Sequence, residues 1–171
     1  MSPGRNARPI RHGPPRYIVR VAPASVPETL DRPELVLRVS PTEVAIDESH
    51  QWAEPLRTGI ARAVADTLAQ DLDGALVSTS EDETTHGPSD VDVSIEVRHL
   101  DLGLTNGASI DLAWAVRWAD KGPTRTGRSV RSIRGVPQGA YDAVVAACAA
   151  AVEAVGREIA QAVRSDYISH R

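Results

Sequence analysis

Val91-Asp92-Val93-Ser94-Ile95-Glu96-Val97-Arg98-His99-Leu100-Asp101-Leu102 alternates apolar and polar residues and then shifts its parity once. Successive side chains of a strand point to opposite faces. Val91, Val93, Ile95 and Val97 therefore belong on a covered face, and Asp92, Ser94, Glu96 and Arg98 on an open one. After His99 the apolar series continues at Leu100, Leu102 and Leu104, which predicts a β-bulge near Arg98–His99 or a change of partner there. Asn106-Gly107 is a strong hairpin signal. The return strand sets Ile110, Leu112, Trp114, Val116 and Trp118 on one face, which makes both tryptophans core residues. Lys121-Gly122-Pro123 predicts another turn, and the polar, arginine-rich segment from Thr124 to Arg134 suits a sheet edge.

Working outward, Tyr17 to Val21 reads as a first strand. Residues 22–33, with Pro23, Pro27 and Pro33, form an extended connection. Glu34 to Val39 is a second strand, and Val44 and Ile46 alternate with polar neighbours in a third. A helix opens at Pro55, a residue tolerated in the first turn because its missing N–H has no partner there anyway. Leu56, Ile60, Val64, Leu68 and Leu72 follow at four-residue steps and make one stripe facing a sheet. Asp73-Gly74 ends the helix, Ala75 to Thr79 is a short strand, and residues 80–90 form an acidic loop. A second helix spans about Ala140 to Arg164, with Tyr141, Val145, Cys148, Val152, Val155, Ile159 and Val163 as its apolar stripe. Gly156 weakens that helix by about 1 kcal/mol relative to alanine, so close packing is expected against it.

The element order β-β-β-α-β-β-β-β-α predicts an α/β (α+β) fold. It is a mixed, mostly antiparallel sheet of about six to seven strands with two long helices on one face. A chain of 171 residues accommodates one such domain. The predicted organisation is a disordered basic leader at 1–16, a single domain at 17–165 and a tail at 166–171. The leader carries Arg5, Arg8, Arg11 and Arg16 without an acid, and a lipid-surface tether is its alternative reading, at about 1 kcal/mol per basic residue.

Composition excludes several classes. A net charge of −4 opposes general nucleic-acid binding, and no stretch of about 20 apolar residues offers a membrane span. Cys148 is the single cysteine, so no internal disulfide forms, and its place on the helix stripe makes it an inert core residue. The five histidines, His12, His50, His86, His99 and His170, show no metal-ligand spacing. Glu81-Asp82-Glu83 lacks the spaced ligands of a calcium loop. No phosphate loop, dinucleotide fingerprint or nucleophile elbow occurs, and no cofactor is called for.

Two alternatives carry specific residues. His99 and Asp101 flank Leu100 and could form the acid–base pair of a small hydrolase. The leader together with Arg125, Arg128, Arg131 and Arg134 could contact nucleic acid.

The segment Leu30-Asp31-Arg32-Pro33-Glu34-Leu35-Val36-Leu37-Arg38, followed by His50-Gln51-Trp52-Ala53-Glu54-Pro55-Leu56, holds more than strand, turn and cap require. Pro33 begins a strand, and Glu54-Pro55 suits a helix start. Arg32, Arg38, His50 and Trp52 exceed those roles. Asp31, Arg32, Pro33, Arg38, His50, Trp52, Glu54 and Pro55 are therefore the candidate protein-interface residues, between copies of the chain or with a partner.

These two motifs resemble those of the PqiC-like ABC-type transport auxiliary lipoproteins. Tyr17-Ile18-Val19, the Val91–Val97 strand, Leu112-Ala113-Trp114 and the alanine-rich helix with Glu158-Ile159-Ala160 are similar in layout, so the resemblance spans roughly 17–165. It implies a non-catalytic lipoprotein facing the periplasm, usually anchored to the outer membrane. Its implied partners are an ABC transporter and a lipid-transporting MCE-domain protein. The sequence departs from the pattern in having no lipobox cysteine ahead of the first strand.

Overall fold

The computed structural model describes residues 14–80, 88–103, 107–120, 122, 124–134 and 141–169. In chain order the elements are β1 (Tyr17–Val21), β2 (Glu34–Ser40), β3 (Glu43–Gln51), α1 (Leu56–Asp71), β4 (Ala75–Thr79), β5 (Val91–Gly103), β6 (Gly107–Trp118), β7 (Arg125–Ile133) and α2 (Tyr141–Ser169). The seven strands form one mixed sheet with both helices on one face, and the expected fold class holds.

β5 organises the sheet. One edge pairs antiparallel with β6 along its whole length, and β6 passes the ladder on to β7. The other edge is shared. β1 runs parallel to its beginning at Val91–Val93, the chain beyond β1 continues alongside through Ser25↔Glu96, and β2 meets its end at Arg38↔Gly103. β4 lies outside β1, and β3 lies outside β2. β3, β4 and β7 are thus the outer strands.

The strand alternation becomes the core directly. Val91, Val93, Ile95, Val97, Leu100 and Leu102 are all buried, and the parity change is absorbed by a bulge between Val97 and His99. Asn106 lies outside the described residues, as do Leu104, Lys121 and Pro123. Gly107 has a φ of +87°, the left-handed region that turn glycines supply. Ile110, Leu112, Val116 and Trp118 are buried as expected. Trp114 is only half-buried, because its ring lies over Gly127 of β7, where no side chain stands in the way. Trp118 packs with Tyr17 and Tyr167, ring centroids 6.1 and 6.3 Å away.

Leu56, Ile60, Val64 and Leu68 of α1 are buried, with Leu72 just beyond its end. Pro55 sits one residue outside α1, as its N-cap with φ −52° and ψ 133°, and its carbonyl accepts from the Thr58 and Gly59 amides. The α2 stripe differs by one position from expectation: Val144 is buried and Val145 faces solvent. α2 also runs to Ser169, through residues expected to be tail. Asp166 explains this, since it is buried and pairs with Arg125 of β7 at 2.9 Å. The anticipated close approach at Gly156 is Thr67 of α1. A Cβ at position 156 would stand 2.8 Å from the Thr67 Cβ, so only glycine admits this helix crossing. Arg16, assigned by sequence to the leader, donates its amide to the Gly74 carbonyl at 2.8 Å; residues 1–13 lie outside the described residues.

Candidate functional site

The two motifs meet because β3 brings the chain back to the start of β2. The Trp52 amide donates to the Pro33 carbonyl at 2.8 Å, closing the ladder that begins at Glu34↔Gln51. Asp31 then reaches the start of α1, where its carboxylate pairs with the Arg57 guanidinium. Trp52 is half-buried and packs against the core. Glu54 turns toward the helix and meets Arg62 at 3.1 Å. Asp31, Arg32, Pro33, Trp52, Glu54 and Pro55 therefore form one cluster around the helix start.

Arg32 Nε and Glu54 Oε2 of this cluster are both buried without a hydrogen-bond partner among the described residues, although Glu54 Oε2 has the Arg62 guanidinium 3.1 Å away. A buried donor left unpaired costs roughly 1–3 kcal/mol, and more when the group is charged.

Arg38 and His50 do not join that cluster. They fasten the β2–β3 hairpin to the rest of the molecule on opposite faces of the sheet. On the open face, Arg38 Nε donates to both Asp101 carboxylate oxygens at 2.6 Å, and its Nη1 donates to the Pro41 carbonyl at 3.2 Å. On the helix face, His50 stacks on Tyr141 at the start of α2, with centroids 3.8 Å apart and planes 10° from parallel. Asp47 binds His50 Nδ1 at 2.9 Å and accepts from the Ser49 amide at 2.9 Å. Burial pushes the Asp47 pKa up, but hydrogen bonds from Ser49, Tyr141 and His50 outweigh it and hold it below the ordinary carboxylate value. The same Asp47 bond raises the Tyr141 hydroxyl, with burial adding to it.

Sequence reasoning singled out Arg38 and His50 without their partners. Asp101 was read as the partner of His99, not of Arg38, and Tyr141 only as part of a helix stripe. Asp47 and Arg57 offered no signal beyond ordinary surface charge.

The hydrolase pair is not assembled. Asp101 is occupied by Arg38, and His99 Nε2 stands 3.8 Å from its nearer oxygen, beyond hydrogen-bond distance. Three of the four arginines of the nucleic-acid series, Arg125, Arg128 and Arg131, are in ion pairs and stay part-exposed. Arg125 pairs with Asp166 and Arg128 with Asp111 at 2.6 Å, while Arg131 pairs with Glu158, which also accepts from the Ser129 hydroxyl. The Arg128 hydrogen bond, against an opposing effect of burial, keeps the Asp111 carboxyl below its usual pKa. Cys148 is buried in α2 and its thiol is pushed up to about 11, so little reactive thiolate forms near neutrality. Among the described residues, no group of three or more His, Cys, Asp or Glu is placed to hold a metal, and no helix is long and apolar enough to cross a membrane.

A helix-backed mixed sheet carries the Arg32 cluster at the start of α1. The sequence model described as "ABC-type transport auxiliary lipoprotein component" matches residues 2–160, and the chain belongs to that family. Two solved structures share the fold. One, described as an uncharacterized protein, has a TM-score of 0.75 at 18% identity, covering 88% of this chain and 94% of that one. The other is protein XCC0632 from Xanthomonas campestris, of the family DUF330. Its TM-score is 0.67 at 21% identity, covering 95% and 94%. No curated protein matches the sequence.

Proposed function

We propose that this protein is a non-catalytic accessory of an ABC/MCE-type envelope lipid transport system, on the periplasmic side and associated with the outer membrane. It works by binding the MCE-domain partner through the cluster around Arg32. Family membership supports the transport accessory role. The observation that carries the binding reading is Arg32 Nε, buried without a hydrogen-bond partner among the described residues, next to Pro33, whose carbonyl accepts from the Trp52 amide. Tryptophan and arginine are enriched at interface hot spots, and a partner that supplies an acceptor to Arg32 recovers the cost of its burial. The Arg38–Asp101 and Asp47–His50–Tyr141 clasps hold the hairpin beside this cluster and so preorganise the surface.

The test is calorimetric titration of the full chain with the cognate MCE-domain protein. Saturable one-site binding is the expected result. Absence of binding at every concentration reached would overturn the reading.

A further inference from the structure

The sheet ends in outer strands of unequal exposure. β4 is five residues long, and shortness is one of the ordinary ways an edge is protected from pairing. β3 and β7 are each nine residues long, and among the described residues neither has a strand on its outer side. Both also expose apolar side chains. Val44 and Ile46 of β3 are 53% and 49% exposed, and Val130 of β7 is 55% exposed. All three lie on the open face of the sheet: Val44 and Ile46 stand opposite Arg38 and Val36, and Val130 stands opposite Asp111.

The two edges carry opposite charge. β3 holds Glu43, Asp47 and Glu48 and no Lys or Arg; β7 holds Arg125, Arg128 and Arg131 and no acid. The carboxylates that pair with these arginines belong to β6 and α2, and they leave the guanidinium side chains 47%, 59% and 40% exposed. Strand direction fits as well. β2 runs parallel to β5 and β3 antiparallel to β2, whereas β7 returns to the direction of β5 through two antiparallel steps. A second copy rotated about an axis along the strands keeps these directions. Its β7 then meets β3 antiparallel, with the open faces continuous.

We propose that β3 of one copy pairs with β7 of a second copy, extending the sheet head to tail. The contact is heterologous, so each copy keeps one free edge after one junction forms. It is separate from the Arg32 cluster and involves no transport partner, so its failure leaves the transport reading standing.

Sedimentation velocity over a range of concentrations tests it with two charge variants. Glu43→Lys/Glu48→Lys alters the β3 edge, and Val130→Glu alters the β7 edge. All three positions are exposed, and circular dichroism verifies the fold. The unaltered chain is expected to self-associate, and each variant alone to do so about tenfold more weakly or worse, because like charges then face each other. An equimolar mixture restores one good junction and gives a 1:1 dimer. A chain that stays monomeric throughout overturns the proposal. So does a Val130→Glu variant that still dimerises fully, since that outcome means β3 pairs with β3.

Discussion

The β5–β6 pair and the β2–β3 pair are both antiparallel, yet they meet opposite fates. In β5–β6 the apolar series lies beneath the helices and is buried from Val91↔Trp118 to Gly103↔Gly107, apart from Trp114, whose ring reaches out over β7. In β2–β3 only Leu35 and Leu37 are buried, and no residue of β3 is. Alternation sets which residues share a face. Whether that face is covered depends on where the helix layer lands, and among the described residues it meets β3 at the Tyr141–His50 stack, at the end of the strand. The inner pair is held by area removed from water, and the outer pair by hydrogen bonds and ion pairs at its two clasps.

That contrast ranks the expected effects of mutation. Ile60 lies in the α1 stripe at 4% exposure, on the helix that covers the inner sheet. Ile60→Ala is predicted to destabilise the whole domain by about 2–5 kcal/mol in denaturant titration. A loss below about 0.5 kcal/mol, the range of ordinary surface changes, breaks the account of the covered layer.

The outer pair also responds to pH. Asp47 has a lowered pKa, so its contribution is present above the ordinary carboxylate value of 3.8 and is lost as pH falls through the lower folded-state value. Tyr141 has a raised pKa, so its contribution is complete below 10.0 and is lost as pH rises through the higher folded-state value. NMR titration is therefore expected to shift the Ser49 amide, which donates to Asp47, as that carboxylate protonates in acid. Tyr141→Phe removes one hydrogen bond to Asp47 and moves its titration upward, toward 3.8. An unmoved Asp47 titration means the hydroxyl does not hold the clasp.

The smallest effect belongs to the N-terminal segment. It holds Pro3, Pro9, Pro14 and Pro15 and almost nothing apolar to bury. A chain beginning at Pro15 keeps the Arg16–Gly74 hydrogen bond and is predicted to melt within a few degrees of the full chain. A large drop shows that the segment packs against the domain.

The same contrast separates what the sequence made legible from what it did not. Period-two and period-four patterns report burial, and burial built β5, β6 and α1. The parity change near Arg98–His99 was legible as a bulge or a change of partner, and the unbroken pairing with β6 makes it a bulge. Gly156 was legible because a helix tolerates a glycine only for a reason, here Thr67. The partners of Arg38 and His50 were not legible: Asp101 is 63 residues from Arg38, and Tyr141 lies on another element, so only the topology joins them. The exposure of Val44 and Ile46 was not legible either, since the residues of an uncovered strand read like those of a covered one. The end of α2 was missed because Asp166 is a charge that the sequence gives no cause to bury.

The central claim is that the outer region is a contact surface while the inner sheet is scaffold. Arg32→Ala tests it most directly, measured together as melting temperature and as affinity for the cognate MCE-domain protein. The account predicts a melting temperature within a few degrees of the parent and a binding loss of about 2 kcal/mol or more, roughly thirtyfold. Unchanged affinity with an intact fold contradicts it, and a large fall in melting temperature makes Arg32 part of the scaffold instead.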